Sequence, residues 1–192
     1  MEQQIILASQ SPRRKQLLEW ARQPFQILVV PTDESFPSQM GTDEAAIHIA
    51  RNKALAVRNS SVYNNQFAGW PVLAADTIVV LDGHIIGKPR DRENALEILS
   101  ALSGRHHQVI TGVVIMHGEK EIAFHETTVV QFHSLTEKEI AFYVDEYRPY
   151  DKAGAYAIQE WIGVVGIQSI TGDFYNVMGL PISRVVQSLK NL

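Results

Sequence analysis

Asp76 stands between Leu73-Ala74-Ala75 and Ile78-Val79-Val80, with no adjoining Gly or Pro to make it a turn residue. A carboxylate in such a run is costly unless it is paired, protonated or bound to a metal, so a chemical role is read for it. Lys53 is the second anomaly. On a helical wheel Ala45, Ala46, Ile49, Ala50, Ala54, Ala56 and Val57 share one face, and Lys53 falls near its middle. Either its stem snorkels along the edge of a core or its ammonium is aimed into a cleft. The stretch Ser9-Gln10-Ser11-Pro12-Arg13-Arg14-Lys15 places consecutive cations in the first turn of a helix, where the macrodipole disfavours them. Either this is a solvated basic turn, or an anion is bound there, because helix N-terminal N–H groups and arginine forks both suit phosphate. Asp33-Glu34 are either solvated loop acids or partners of Asp76 in an oxygen-ligand site for Mg²⁺ or Mn²⁺. Lys88, in Gly87-Lys88-Pro89, is either an exposed turn lysine or a cation approaching Asp76 from a facing strand. Together, cations, acids and a helix N-terminus suit a polyphosphate carrying a divalent metal. The chemistry would be phosphoryl or nucleotidyl transfer, in which positioning and charge neutralisation do most of the work.

Other chemistries lack their residues. Cysteine is absent, which removes disulfides, thiolate zinc sites, iron–sulfur clusters and a cysteine nucleophile. Gly87-Lys88 is followed by Pro89 and so is not a P-loop, and no Gly-x-Ser-x-Gly elbow occurs. His106, His107, His117, His125 and His133 show no zinc-ligand spacing. Lys plus Arg is 17 against 21 for Asp plus Glu, a net charge of −4 that disfavours a nucleic-acid partner. No apolar run approaches the ~20 residues that span a bilayer. The start, Met1-Glu2-Gln3-Gln4, lacks the pattern of a signal peptide, so a cytoplasmic protein with no membrane partner is expected.

These residues need elements to hold them. A chain of 192 residues suits one domain, or two lobes sharing a core. Residues 5–8 read as a short buried strand, followed by a helix with Ser11 as cap and Pro12 at its first position. A strand over 25–30 and a helix from Thr42 or Asp43 to about Arg58 follow, with polar loops at 31–41 and 59–71. Residues 72–81 form a strand, Asp82-Gly83 signals a tight hairpin, and 84–86 return. Asp91 caps a helix that ends before Gly104. Strands over 108–116 and 122–132 meet at His117-Gly118, and Thr136 with Glu139 makes a capping box. A strand over 163–167 and a helix opened by Pro181 complete the chain. The fold class expected is α/β, a mixed twisted sheet with flanking helices.

The blocks Leu7-Ala8-Ser9-x-Ser11-Pro12-Arg13-Arg14-x-x-Leu17-Leu18, Arg51-x-Lys53-Ala54, Ala75-Asp76-Thr77 and Gly87-Lys88-Pro89 occur in that order. Leu102-Ser103-Gly104, Thr111-Gly112, and the run Asp151-Lys152-Ala153-Gly154-Ala155-Tyr156-Ala157-Ile158-Gln159 follow. Gly172, Tyr175-Asn176-Val177 and Gly179-Leu180-Pro181 come last. The set resembles the Maf family of nucleoside triphosphate pyrophosphatases over essentially the whole chain, departing from its usual pattern at Gln10 and Ala157. The resemblance implies metal-dependent hydrolysis of a nucleoside triphosphate to monophosphate and diphosphate. It also implies a single domain over 1–192, with two lobes around a deep cleft, no linker, and a fold similar to inosine triphosphatase. It makes Asp76 the proton acceptor and Arg13, Thr77 and Gln159 the specificity positions, in a combination resembling the subfamily that acts on dTTP and UTP. Ser9, Arg13, Arg14, Lys53 and Lys88 would hold the triphosphate. Glu34 and Asp76 would bind Mg²⁺ or Mn²⁺ or position water. A homodimer is expected from the family only. The alternatives are the same scaffold acting on another nucleotide such as 7-methyl-GTP, or a nucleotide-binding regulator of cell division.

Overall fold

In the computed structural model, residues 3–192 are described; residues 1 and 2, part of the start discussed above, lie outside them. The chain runs β1 (Ile5–Leu7), α1 (Pro12–Trp20), β2 (Phe25–Ile27), α2 (Thr42–Arg58), α3 (Ser61–Gln66), β3 (Val72–Leu81) and β4 (His84–Ile86). It continues through α4 (Arg92–Leu102), β5 (His106–His117), β6 (Lys120–Phe132), α5 (Glu137–Tyr147), a 3-10 turn (Ala153–Ala155) and α6 (Trp161–Gly166). It ends with β7 (Ile167–Thr171), α7 (Phe174–Met178) and α8 (Ile182–Leu189). The sheet order is β2-β1-β3-β5-β6-β7, with β4 on β3. β1 is parallel to β2 and β3, whereas β3/β4 and β6/β7 are antiparallel, so the sheet is mixed as expected.

The residues fall into two compact units. The first comprises the described residues of Met1–Thr77 with Thr111–Glu126 and Gly179–Leu192. Its core joins Ile6 of β1 and Ala8 just after it, Val72 and Ala74 of β3, Ala50, Ala54 and Val57 of α2, and Val114 and Met116 of β5. The alanines of α2 let that helix lie close on the sheet. Gly112 does the same from the other side, since a Cβ there would collide with the backbone of Ala46 and Ile47. Tyr63 of α3 joins this core and donates to the Trp70 carbonyl at 2.8 Å. Thus part of the polar stretch at 59–71 is helical, started by Ser60, whose hydroxyl accepts from the Tyr63 N–H.

The second unit comprises Ile78–Ile110 and Thr127–Met178. Asp82 and Gly83 both take positive φ, 51° and 79°, the conformation a two-residue hairpin demands. Asp91 caps α4, and Thr136 with Glu139 forms the expected capping box on α5. Two strand expectations fail. The strand read over 25–30 stops at Ile27, where pairing with β1 ends. The strand read over 163–167 is instead α6, with β7 starting at Ile167. A short apolar run does not declare its period. Here Glu160 starts a helical turn, its carbonyl accepting from Gly163 at 2.9 Å. Gly163 permits that turn because a Cβ would overlap the Ile158 carbonyl, and Val164 is left 80% exposed rather than buried on a sheet face.

A buried histidine gives this unit a pH signature. His107 is 1% exposed, bonds Tyr156 Oη through Nε2 at 2.7 Å, and meets Phe132 and Tyr156 edge-on. Burial, with a smaller push from His106, drops its pKa to about 4. Between 6.5 and 4 the unfolded chain takes up a proton that the folded protein refuses. Stability therefore falls as pH falls through that window, by on the order of 3 kcal/mol in full. Urea unfolding at pH 7, 5.5 and 4 should show this slope, and the double variant His107→Phe/Tyr156→Phe should flatten it. An unchanged slope would assign the acid lability elsewhere.

Candidate active site

The first unit gathers most of the candidates in two small groups. Lys53, on the α2 face that covers β3, places Nζ 2.6 Å from Asp76 Oδ1 and 2.7 Å from Glu34 Oε1. The Lys53 and Asp76 side chains are only 17% and 14% exposed, while Glu34 is 52% exposed. The ammonium therefore bridges two acids, one inside and one at the rim. Lys53 uses its stem as snorkelling predicts, but the head ends on carboxylates rather than in water. The neighbouring acids diverge. Asp33 folds onto Ser35, accepting from its N–H at 2.9 Å and its hydroxyl at 2.7 Å, and these bonds hold its pKa below the ordinary range. That leaves Glu34 as the acid on Lys53.

The second group forms where the chain leaves β1. Leu7 pairs with Leu73, so the residues after β1 run beside Asp76 and Thr77 on the parallel strand. Pro12 opens α1 and Ser11 caps it. Arg14 turns inward from that first turn and is 8% exposed. Its guanidinium donates to the Gly179 carbonyl at 2.8 Å, to Ser9 Oγ at 3.1 Å and to Thr77 Oγ1 at 3.0 Å. Burial lowers its pKa, opposed by the negative charges of Asp76 and Glu34. Arg13 is half-buried on the same turn. Thr77 Oγ1 also lies 2.9 Å from Thr111 Oγ1.

Lys88 and Gln159 belong to the second unit, and both are exposed. The 3-10 turn that precedes Gln159 is tied to the residue before Lys88: the Gly154 N–H donates to the Gly87 carbonyl at 3.2 Å. Gly154 (φ 71°) and Ala155 (φ 59°) are both left-handed, a conformation natural for glycine and uncommon for alanine. The turn closes on Val79, which a Cβ at Gly154 would strike.

The Maf-like protein family matches residues 4–192. The chain belongs to the Maf-like family. A relative from Bacteroides thetaiotaomicron, named dTTP/UTP pyrophosphatase, is 47% identical over 190 residues, covering 98% of this chain and 96% of the relative. Another of that name, from Porphyromonas gingivalis strain W83, is 45% identical over 188 residues, covering 97% of this chain and 93% of its own. Among solved structures, the Staphylococcus aureus Ham1 protein is 15% identical, with a TM-score of 0.42 over 68% of this chain and 72% of that one.

In this Maf-like chain, two participants carried no role from sequence. Thr111 is fully buried against Thr77, and the Gly179 carbonyl anchors Arg14. Both lie in blocks that carry the family resemblance, but a buried threonine hydroxyl and a backbone carbonyl have no distinctive residue signature. The oxygen donors Glu34 and Asp76 fit a hard divalent cation that completes its shell with phosphate oxygens and water, since Mg²⁺ is usually held by one or two carboxylates. No group of three or more His, Cys, Asp or Glu able to hold a metal by themselves occurs among the described residues.

The segment carrying Gln159 is braced from α5. The buried Tyr143 hydroxyl donates to Glu160 and accepts from the Ala157 N–H at 3.1 Å, gripping the chain on both sides of Gln159. Tyr143→Phe should cost about 1–3 kcal/mol, because it leaves the buried Ala157 N–H unpaired. Chemical denaturation checks this, and a loss below a few tenths of a kcal/mol would show that water or another group replaces the hydroxyl.

Proposed function

We propose that this protein hydrolyses dTTP and UTP to the monophosphate and diphosphate. The observation that carries this reading is the bridge Glu34–Lys53–Asp76 standing with the buried Arg14 on residues of one unit. Such a mixed-sign cluster suits a polyphosphate–metal complex. Names borne by relatives alike over nearly their full length support the pyrimidine substrates.

Asp76, oriented by the Lys53 ammonium on Oδ1, takes a proton from water. The water oxygen attacks the α-phosphorus, the bond from that phosphorus to the bridging oxygen breaks, and diphosphate leaves. Ser9, Arg13, Lys53 and Lys88 neutralise and orient the triphosphate, and Arg14 adds its positive charge. Mg²⁺ or Mn²⁺, held by Glu34 and Asp76, would supply further charge neutralisation on the phosphates. Gln159 and Thr77 would read the pyrimidine edge with Arg13 in support. A site built to hydrogen-bond one base leaves polar groups unpaired with another, which discriminates strongly. A cytoplasmic homodimer belongs to the same reading.

Diphosphate release should be measured with dTTP, UTP, CTP, GTP, ITP and 7-methyl-GTP, in Mg²⁺ and in Mn²⁺. Turnover highest on dTTP and UTP, abolished by chelation, is expected. Inactivity on both pyrimidines would overturn the assignment.

A further inference from the structure

Arg14 looks from sequence like one more phosphate-binding cation, yet three of its N–H groups are committed to the protein. A guanidinium carries donors and no acceptor, so the direction of all three bonds is fixed. The consequence falls on Ser9. Its oxygen accepts from Arg14 Nη1 at 3.1 Å and from the Ser11 backbone N–H at 3.2 Å. A serine hydroxyl has two acceptor sites and one proton. With both acceptor sites filled by groups that can only donate, the proton is all that Ser9 has left to offer. A ligand that meets Ser9 must therefore bring an acceptor, and a phosphoryl oxygen brings one with negative charge, which strengthens the bond.

Thr77 is set differently. Arg14 Nη2 donates to its oxygen at 3.0 Å, its own hydroxyl donates to the Gly179 carbonyl at 3.4 Å, and Thr111 Oγ1 lies 2.9 Å away. The anchor for the arrangement is the Gly179 carbonyl, on a residue at φ 114° that side-chain-bearing amino acids rarely adopt. The inward turn of Arg14 also accounts for one cation at an unfavourable helix start: it neither meets solvent nor relies on the helix end for a partner.

We propose that Arg14 is a positioning residue, which fixes the Ser9 hydroxyl as a donor to a phosphoryl oxygen and so acts on the substrate through Ser9. The assignment rests on the pyrophosphatase reading and adds the route by which this arginine serves it. A direct phosphate contact and a relay through Ser9 differ in one measurable respect. If Arg14 and Ser9 gripped the phosphates separately, losing both would multiply the penalties. If Arg14 works through Ser9, removing one removes most of what the other provides.

The probe is equilibrium binding of the non-hydrolysable α,β-imido analogue of UTP with Mg²⁺, alongside KM and kcat for UTP. Ser9→Ala and Arg14→Lys should each weaken binding by about ten-fold, the worth of one hydrogen bond to a charged group. The double variant should bind no more weakly than the worse single one. Ser9→Thr, which keeps the hydroxyl, should recover most of the affinity that Ser9→Ala loses. Arg14→Gln provides a second replacement, and circular dichroism identifies which variants fold. Penalties that multiply to about a hundred-fold would overturn the relay, as would Arg14→Lys binding like wild type. A wild-type protein that releases no diphosphate from UTP or dTTP would instead overturn the function itself, and that result is read before any variant is made.

Discussion

Asp76→Asn should lower the rate of diphosphate release from UTP by about 10³-fold, within the range that a positioned general base contributes. Asparagine keeps the shape of the side chain and an oxygen able to accept from Lys53, so the 2.6 Å contact that orients this residue has a neutral counterpart. What disappears is the capacity to take a proton from water and one negative charge beside the metal-binding oxygen of Glu34. Lys53 retains Glu34 as an ionic partner at 2.7 Å, so the ammonium is not stranded. The folded state should therefore survive with a midpoint close to that of the wild type. Residual turnover in the variant should climb with pH, because hydroxide can replace a missing base. Single-turnover diphosphate release across pH, with thermal unfolding as control, tests both halves. Wild-type rates in Asp76→Asn would remove this residue from the chemistry.

How much of this was legible in the sequence depended on whether a residue's oddity was local. Asp76 and Lys53 were conspicuous because each breaks an apolar pattern, and the structure pairs them directly. The pairing itself was not legible, since 23 positions separate them and only the packing of α2 on β3 brings them together. Asp33 and Glu34 looked equivalent as adjacent acids. Ser35 decides between them by capturing Asp33, which is a matter of loop geometry. The hairpin at Asp82-Gly83 and the capping box at Thr136 were readable because turn and cap chemistry is written within four residues. The run from Gly163 to Ile167 was not, because its helical state depends on the Glu160 carbonyl and on Gly163 fitting against Ile158. Arg14 shows the reverse limit: its charge was plain, but its partners at Gly179 and Thr77 lie 165 and 63 positions away.

Lys53→Met should be the most damaging change in the candidate site for stability. Lysine here is a hub: removing a spoke leaves an ion pair, whereas removing the hub leaves two carboxylates facing each other. Asp76, with its side chain 14% exposed, would lose its direct cationic partner, and the more exposed Glu34 would contribute less. A cost of roughly 2–3 kcal/mol is expected, below the full price of breaking a fully buried pair because the cluster opens to water through Glu34. For a chain of this length that lowers the unfolding midpoint by roughly 5–10 °C. Turnover should fall by about 10²–10³-fold, as for loss of a preorganised charge at a reacting centre. The decisive comparison is Lys53→Met/Asp76→Asn. Neutralising Asp76 removes the stranded charge, so the double variant should be more stable than Lys53→Met alone, although no more active. That gain, absent when Asp76→Asn is made in the wild type, follows only if the lysine holds the two acids together in the folded protein. A double variant less stable than Lys53→Met would mean that Asp76 contributes to folding through contacts independent of Lys53.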